Sequence, residues 1–175
     1  MKKTNPLSVD TIASLAIKLR KEYNVKEDEA FPILEYLAHL HSDGLVSMQI
    51  LENDDPYFDS KTVAKYNAID NFIYLKESVI YDYENGIFHS AFTLAHELFH
   101  FIQTHVLNFV FEEVESCKAY EDSEWQANEF AGELLVPRKY VHLDEKEIAQ
   151  RFKVSIECAL TRKLKYKQRN EKKFA

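Results

Sequence analysis

The apolar positions along the chain follow two different periods, and their order predicts helices on both sides of a small sheet. Apolar residues recur every three to four positions over 7–23 and over 31–40, which is the spacing of amphipathic helices. Three short segments rich in β-branched and aromatic residues follow: 45–51, 62–66 and 72–75. Such segments between turn-forming residues are typical of strands. We interpret them as a small antiparallel sheet, with loops at 54–56 and 83–86.

Helical spacing returns after the last of these loops and continues to the end of the chain. A core-facing apolar stripe predicts one helix over 90–106. A second helix is predicted over 122–136, because Asp122 or Ser123 can cap its start and Pro137 ends it. Two shorter helices are predicted near the C-terminal end: 145–152 and 156–166.

The composition is typical of one globular domain with a well-formed core. The chain has 175 residues, of which 46% are hydrophobic and 29% are charged. We expect a single α+β domain over 1–175 that is mostly helical. Its parts are N-terminal helices and a first strand in 1–60, the sheet and the helices predicted over 90–106 and 122–136 in 61–137, and a helix-turn-helix-like pair with a basic tail in 138–175.

Charge, hydropathy and cysteine content point to a cytoplasmic protein. A formal net charge of −7 argues against nonspecific attraction to nucleic acid or anionic membranes. No apolar run approaches the ~20 residues that span a bilayer, and the first residues lack the apolar core of a secretory signal. Cys117 and Cys158 are too few for a disulfide framework, so we expect free thiols.

The pentapeptide HELFH is the strongest chemical signal in the sequence. His96 and His100 are four residues apart, so on a helix their imidazoles lie on one face and can bind one metal ion. Glu97 lies roughly 100° further round the helix, within reach of a water on that ion. Zinc with two imidazoles and one further ligand keeps a position open for water, and a nearby carboxylate can then act as general base.

The third ligand does not come from the same helix. The metzincin pattern requires a glycine and a histidine where this chain has Gln103 and Val106, so that pattern is absent. His105 is turned about 140° away from His100 on a helix. We therefore expect His105 to be a surface or packing residue.

The predicted helix 122–136 offers a carboxylate for the same metal. Glu124 and Asn128 form an i, i+4 pair, and an amide at the second position can hold the outer nitrogen of a ligand histidine. Glu121, one turn earlier, is the rival ligand. Glu129 and Glu133 fall on another face and are expected to be solvated.

Two stretches, FTLAHELFH and EWQANEFAGELLVP, together resemble the motifs of the ImmA/IrrE family of zinc metallopeptidases. That family shows FTLAHELGH followed about 25 residues later by ExxANxFAxxLLxP, and Glu124 follows His100 by 24 residues here. The positions in register are Glu124, Ala127, Asn128, Phe130, Ala131, Leu134, Leu135 and Pro137. The resemblance is good from residue 73 to about residue 166.

The resemblance implies a zincin-like fold and a zinc peptidase. By this similarity His96, His100 and Glu124 hold Zn2+ and Glu97 is the general base. Family members are mostly encoded beside a helix-turn-helix repressor that they inactivate, and others belong to stress responses or toxin–antitoxin pairs. The implied substrate is therefore a specific regulatory protein, a helix-turn-helix repressor or an antitoxin.

The sequence departs from the family pattern at two places. Phe99 replaces the glycine of HELGH, and we expect its ring to pack into the core without touching the metal. An arginine that is common just before FTLAHE is missing from 87–91, so its role cannot be transferred.

Transition-state and substrate contacts are the least specified parts of the predicted site. A developing oxyanion needs a donor besides the metal, and Tyr66, Tyr140 and His142 are the candidates. The strand 72–75 could pair with an extended substrate peptide or could lie in the core.

The C-terminal helix pair supports a rival hypothesis. Helices 145–152 and 156–166 are spaced like a helix-turn-helix, and the basic end of the chain, 162–175, is expected to fray. Five basic side chains could contact phosphates: Arg162, Lys163, Lys165, Lys167 and Arg169. The alternative to a peptidase is thus a DNA-binding or repressor-docking module with a vestigial HExxH. Glu157, at a base-reading position, argues against DNA contact.

Overall fold

The computed structural model describes residues 1–173, with side chains described through Arg169. Its helices are α1 Val9–Glu22, α2 Ile33–Ser42, α3 Glu77–Glu84, α4 Ala91–Phe101, α5 Ser123–Leu135, α6 Glu145–Phe152 and α7 Ile156–Lys173. Its strands are β1 Lys2–Lys3, β2 Ser47–Leu51, β3 Ala64–Asn67, β4 Phe72–Lys76 and β5 Glu112–Glu113. A π-helix, Ile102–Val106, continues α4, and 3-10 turns occupy Ala119–Glu121 and Arg138–Tyr140. The predicted α+β, mostly helical fold is confirmed.

The sheet that supports α4 is mixed, and the prediction of an entirely antiparallel sheet is wrong. Its order is β2-β4-β3, with β2 and β4 parallel and β3 and β4 antiparallel. The reason lies in β4, whose residues Ile73 and Leu75 are fully buried. The most apolar strand takes the central position, so β4 inserts between two strands that precede it in the chain.

The sequence does not predict helix α3, and the predicted loop 83–86 overlaps its last two residues. Among its residues Val79 alone is buried, so the segment lacks the apolar stripe that marks other helices. The helix ends where predicted turn residues begin, and Gly86 follows in a left-handed conformation with φ of 75°.

The main core lies between α4 and α5. Phe99 is fully buried and its ring stacks on Phe130 at a centroid distance of 4.5 Å. The expectation that Phe99 packs into the core is thereby confirmed. Ala127 and Ala131, both fully buried on α5, let the two helices approach closely. Helix α4 thus has one face against α5 and another against β3.

Helix α7 is fixed on α5 by buried carboxylates, and the expectation that Glu129 and Glu133 are solvated is wrong. Their side chains are only 2% and 3% exposed. Glu129 contacts Lys165 and Arg169, while Oε2 of Glu133 lies 2.6 Å from Nη2 of Arg162. Spacing on α5 alone could not reveal that α7 supplies these cations.

The same contacts explain why α7 is longer than predicted. It continues as a helix through Lys173, whereas the sequence predicted an end near residue 166 and a frayed tail. Lys165 and Arg169 are one turn apart and share Glu129, so this part of the helix is tied to the core. Residues 174–175 of the predicted tail lie outside the described residues. Within 1–173 no helix is long and apolar enough to cross a membrane.

The N-terminal segment lies across the connection between the π-helix and α5. Strand β1 pairs with β5, and Thr4 donates its amide to the Glu121 carbonyl at 2.7 Å. The Thr4 hydroxyl also donates to the Val110 carbonyl at 3.0 Å. The segment therefore holds in place the chain that joins the two helices of the site described next.

Candidate active site

The two histidines of HELFH lie on the face of α4 that points to the first turn of α5. Their Nε2 atoms are 3.0 Å apart, and each side chain is 15% exposed. Asp122 caps α5 by accepting the amide of Glu124, so Glu124 lies in the first helical turn. Glu124 Oε2 is 3.1 Å from His96 Nε2, and Glu124 Oε1 is 3.3 Å from His100 Nε2.

These three side chains fit a divalent metal ion. Their ligand atoms all lie within 4.8 Å of one another, and no other such group occurs among the described residues. In a tetrahedral zinc site with bonds of about 2.0–2.1 Å, neighbouring ligand atoms are about 3.3 Å apart. The separations found here are close to that value. Two imidazole nitrogens with one carboxylate form a donor set that zinc accepts.

The outer nitrogens of both imidazoles also have partners. Asn128 Oδ1 lies 3.1 Å from His96 Nδ1, which is where the sequence placed this amide. Gln103 Oε1 lies 3.0 Å from His100 Nδ1, a contact that the sequence did not predict. Acceptors at Nδ1 favour a proton there and leave Nε2 free to bind a metal.

Glu97 is held between α4 and strand β3. Its Oε2 accepts the backbone N–H of Tyr66 at 2.7 Å. The side chain is half-buried and lies in the same cleft as His96, His100 and Glu124. The carboxylate therefore has one fixed oxygen beside His96, His100 and Glu124, which we call the metal-ligand group.

Burial and neighbouring groups set the protonation of these residues. Hydrogen bonds with His100 and His96 hold the pKa of Glu124 far below its usual range, so Glu124 stays ionised. Burial opposes protonation of His96, but the hydrogen bond to Glu124 and the charges of Glu97 and Glu124 raise its pKa. Burial raises the pKa of Glu97, although the Tyr66 amide and both histidines oppose this. A raised pKa suits a carboxylate that accepts a proton from water.

A cleft of about 330 Å³ opens beside the cluster. Part of its lining comes from β3, and another part comes from β1 and from the segment after the π-helix. Its lining residues outside the metal-ligand group include Lys2, Lys65, Thr62, Thr104 and Phe111. The cleft thus gives access to His96, His100, Glu97 and Glu124, all of which line it.

Comparison with protein families identifies the chain. A family model described as Peptidase M78, IrrE N-terminal-like domain, matches residues 58–163, which is more than half of the chain. The chain belongs to the M78 peptidase family. The resemblance to ImmA/IrrE proteins and the expected zincin-like fold are therefore confirmed, and the matched residues contain the whole metal-ligand group.

The fold of this M78 chain is also similar to a solved structure, a Mycobacterium tuberculosis transcriptional regulator. The TM-score is 0.54 at 19% sequence identity, and the match covers 85% of this chain and 45% of the regulator. The M78 chain thus spans less than half the length of that protein. A comparison with curated protein sequences gives no significant match.

Several residues considered from the sequence lie away from the M78 metal-ligand group. The carboxylate of Glu121 accepts the Lys118 amide and faces Lys3, so it is not beside the histidines. His105 is exposed and stacks on Phe101 with a centroid distance of 5.3 Å, as expected for a packing residue.

The oxyanion candidates are similarly distributed. Tyr66 reaches the site through its backbone N–H, while its hydroxyl donates to Asn71. Tyr140 packs against Phe152, and His142 lies beside α7. No phenol or imidazole among these three is therefore directed at the metal-ligand group.

The strand 72–75 does not offer an edge to substrate. It forms β4, whose two sides are occupied by β2 and β3, so the prediction that it could pair with a peptide is wrong and its alternative as core is confirmed. The free edge next to the M78 metal-ligand group belongs to β3.

Proposed function

We propose that this M78 family member is a zinc-dependent metallo-endopeptidase that cleaves a cytosolic regulatory protein. The observation that carries the proposal is the convergence of His96, His100 and Glu124 beside Glu97 in an open cleft. A helix-turn-helix repressor or an antitoxin is the proposed substrate. The family resemblance supports this choice, as does the fold shared with a protein described as a transcriptional regulator.

The proposed roles follow from the contacts of each side chain. His96, His100 and Glu124 would hold the zinc ion, which when bound supplies a Lewis acid for water and for a carbonyl oxygen. Glu97 would accept a proton from water at its carboxylate and deliver it to the leaving amine nitrogen. The Tyr66 amide holds Oε2 of Glu97, which leaves Oε1 for this transfer.

Strand β3 is the proposed binding edge for an extended peptide. Lys76 donates its amide to the Val63 carbonyl, so by alternation Ala64 and Tyr66 point their backbone groups away from β4. The Tyr66 N–H is taken by Glu97. Both backbone groups of Ala64 and the carbonyl of Tyr66 would then pair with substrate backbone.

The decisive experiment separates metal binding from cleavage. Purified protein should contain about one zinc per chain. Glu97→Gln should retain that zinc and lose cleavage of the repressor encoded by the adjacent gene, with a loss of about 100-fold or more. Cleavage is followed by mass spectrometry of the purified repressor after incubation with each variant.

The matched control is Glu121→Gln, which changes an acidic side chain in the neighbouring turn. It should keep both zinc and cleavage because Glu121 lies outside the metal-ligand group. Persistent cleavage by Glu97→Gln would show that Glu97 is not the base. A protein without bound zinc would overturn the proposal altogether.

The DNA-binding alternative loses support from the contacts of its basic residues. Arg162 is 3% exposed and pairs with Glu133. Lys165 and Arg169 pair with Glu129, and Lys163 lies 3.3 Å from Glu145. Cations engaged in this way are poorly placed for phosphates. A DNA mobility shift with steep salt dependence, from protein that binds no zinc, would restore this alternative.

A further inference from the structure

A chain of buried amide side chains connects His100 to the N-terminal segment. Gln103, Ser123 and Gln126 are all fully buried. Gln126 Nε2 donates to two backbone carbonyls, those of Asn5 and Tyr120, each at 2.8 Å. This series of hydrogen bonds therefore begins at two backbone carbonyls, which can only accept hydrogen bonds.

These carbonyls fix the direction of the hydrogen bonds that follow. A carbonyl only accepts, so Gln126 must direct its NH2 group toward Asn5 and Tyr120 and its oxygen toward Gln103. Gln103 Nε2 donates to that oxygen at 2.8 Å. Either amide, if flipped, would place two donors or two acceptors face to face in a buried position, which is costly.

The orientation of Gln103 in turn determines what His100 meets. With its NH2 group directed at Gln126, Gln103 presents Oε1 to His100 Nδ1 at 3.0 Å. The Ser123 hydroxyl donates to the same oxygen at 2.9 Å and secures it from the α5 side. Because the partner is an acceptor, Nδ1 of His100 must carry the proton.

We propose that Gln103 and Gln126 are positioning residues that set the tautomer and ring orientation of His100. A proton on Nδ1 leaves the lone pair of Nε2 directed at Glu124 and His96, where the proposed metal ion binds. The inference rests on the proposed metallopeptidase function. In this proposal two backbone carbonyls, those of Asn5 and Tyr120, determine the orientation of the proposed ligand His100 on α4.

The series of hydrogen bonds from Gln126 through Gln103 to His100, here called the relay, is tested by measuring zinc affinity in a double-mutant cycle. Gln103→Met has similar length but no acceptor, and it should weaken zinc binding by about 10–100-fold, measured by competition with a chromophoric chelator. Gln126→Met should weaken binding less, since Ser123 still orients the Gln103 oxygen. Because Gln126 acts through Gln103, the double variant should bind zinc no more weakly than Gln103→Met alone.

A second measurement reports the proton itself. In zinc-loaded protein labelled with 15N-histidine, the Nδ1 proton of His100 should exchange slowly with water. Gln103→Met should make that exchange fast, because it removes the acceptor of the Nδ1 proton. The control is Thr4→Val, which removes a partly buried hydrogen bond of the N-terminal segment and should lower the thermal midpoint while leaving zinc affinity unchanged.

The outcomes separate the relay from the proposed function. Wild-type protein that binds no zinc would overturn both. Wild-type protein that binds zinc, with folded Gln103→Met and Gln126→Met variants of unchanged affinity, would overturn the relay alone. Additive losses in the double variant would also overturn it, because the two glutamines would then act independently.

Discussion

Helix α5 carries carboxylates on two faces, and the comparison of these faces explains how one helix serves both chemistry and stability. On one face, Glu124 is 56% exposed and meets two imidazoles. On the other, Glu133 is 3% exposed, with Arg138 Nε at 2.8 Å and Arg162 Nη2 at 2.6 Å. Both carboxylates lie within contact distance of nitrogen atoms, but only the second meets permanent cations.

The difference lies in the charge that the facing element supplies. The guanidinium groups opposite Glu133 are always protonated and neutralise it, so that face needs no further ligand. The imidazoles opposite Glu124 each have an acceptor at Nδ1, supplied by Asn128 and Gln103. When each imidazole carries its proton on Nδ1, the Nε2 lone pairs and the Glu124 carboxylate face one point, where the proposed metal ion would bind. The groups that face an acidic residue on α5 determine its role more than the burial of its carboxylate does.

The largest expected effect is the loss of the buried ion pair at Glu133. Glu133→Gln leaves Arg162 buried without a counter-charge, which should lower the free energy of unfolding by about 3–5 kcal/mol. Urea unfolding measures this change. Exposed Glu147, paired with Arg151, is the matched control, and Glu147→Gln should cost less than about 0.5 kcal/mol.

Zinc binding should be insensitive to the Glu133 substitution in protein that remains folded. If Glu133→Gln lowered the free energy of zinc binding by as much as it lowered the free energy of unfolding, the two faces of α5 would not be independent. That result would contradict the division of roles described for α5.

The next effect concerns the other face. Glu124→Gln removes the charged ligand and should weaken zinc binding more than about 100-fold, which exceeds the usual loss from an outer hydrogen-bond partner. The free energy of unfolding measured with a chelator present should fall much less than in Glu133→Gln, because Glu124 is half exposed and solvent screens its contacts with the histidines. An unchanged zinc affinity would remove Glu124 from the proposed ligand set.

The smallest effect is a pH dependence from Glu129. Burial disfavours its charged form, but the hydrogen bond to Arg169 and the charges of Lys165 and Arg169 outweigh burial and lower its pKa from 4.5. A lowered folded-state pKa stabilises the protein above the unfolded-state value, and this contribution is lost as pH falls through the folded-state pKa.

The pH effect is measured as a difference between two proteins. The gap in unfolding free energy between unmodified protein and Glu129→Gln should be largest above about pH 5 and should shrink toward about pH 3. A gap that stays constant over this range would show that the charge of Glu129 contributes nothing.

Local patterns in the sequence were sufficient for every helix except α3 and the end of α7, and for the central geometry of the site. His96 and His100 are related by one helical turn, and Glu124 and Asn128 by another, so periodicity places each pair without knowledge of the tertiary structure. The identification of Glu124 over Glu121 came from the family resemblance. The structure brings Glu124 to the histidines and leaves Glu121 outside.

The features that sequence reasoning missed depend on which elements face each other. Glu129 and Glu133 look like solvated residues until α7 supplies their cations. In the sequence Gln103 is notable only because it stands where metzincins have a glycine. Its spacing of three residues from His100 could also have indicated a hydrogen bond to that imidazole. Gln126 gave no such signal, because its partners lie in the N-terminal segment.

The backbone of Tyr66 has two proposed roles, since its N–H binds Glu97 and its carbonyl lies on the β3 edge proposed for substrate. If the substrate pairs with β3, the register of the bound chain is set by Ala64 and Tyr66. The N–H of Tyr66 also holds Oε2 of Glu97, the carboxylate that we propose as the proton acceptor. A shift of β3 would therefore displace the bound peptide and Oε2 of Glu97 in the same direction.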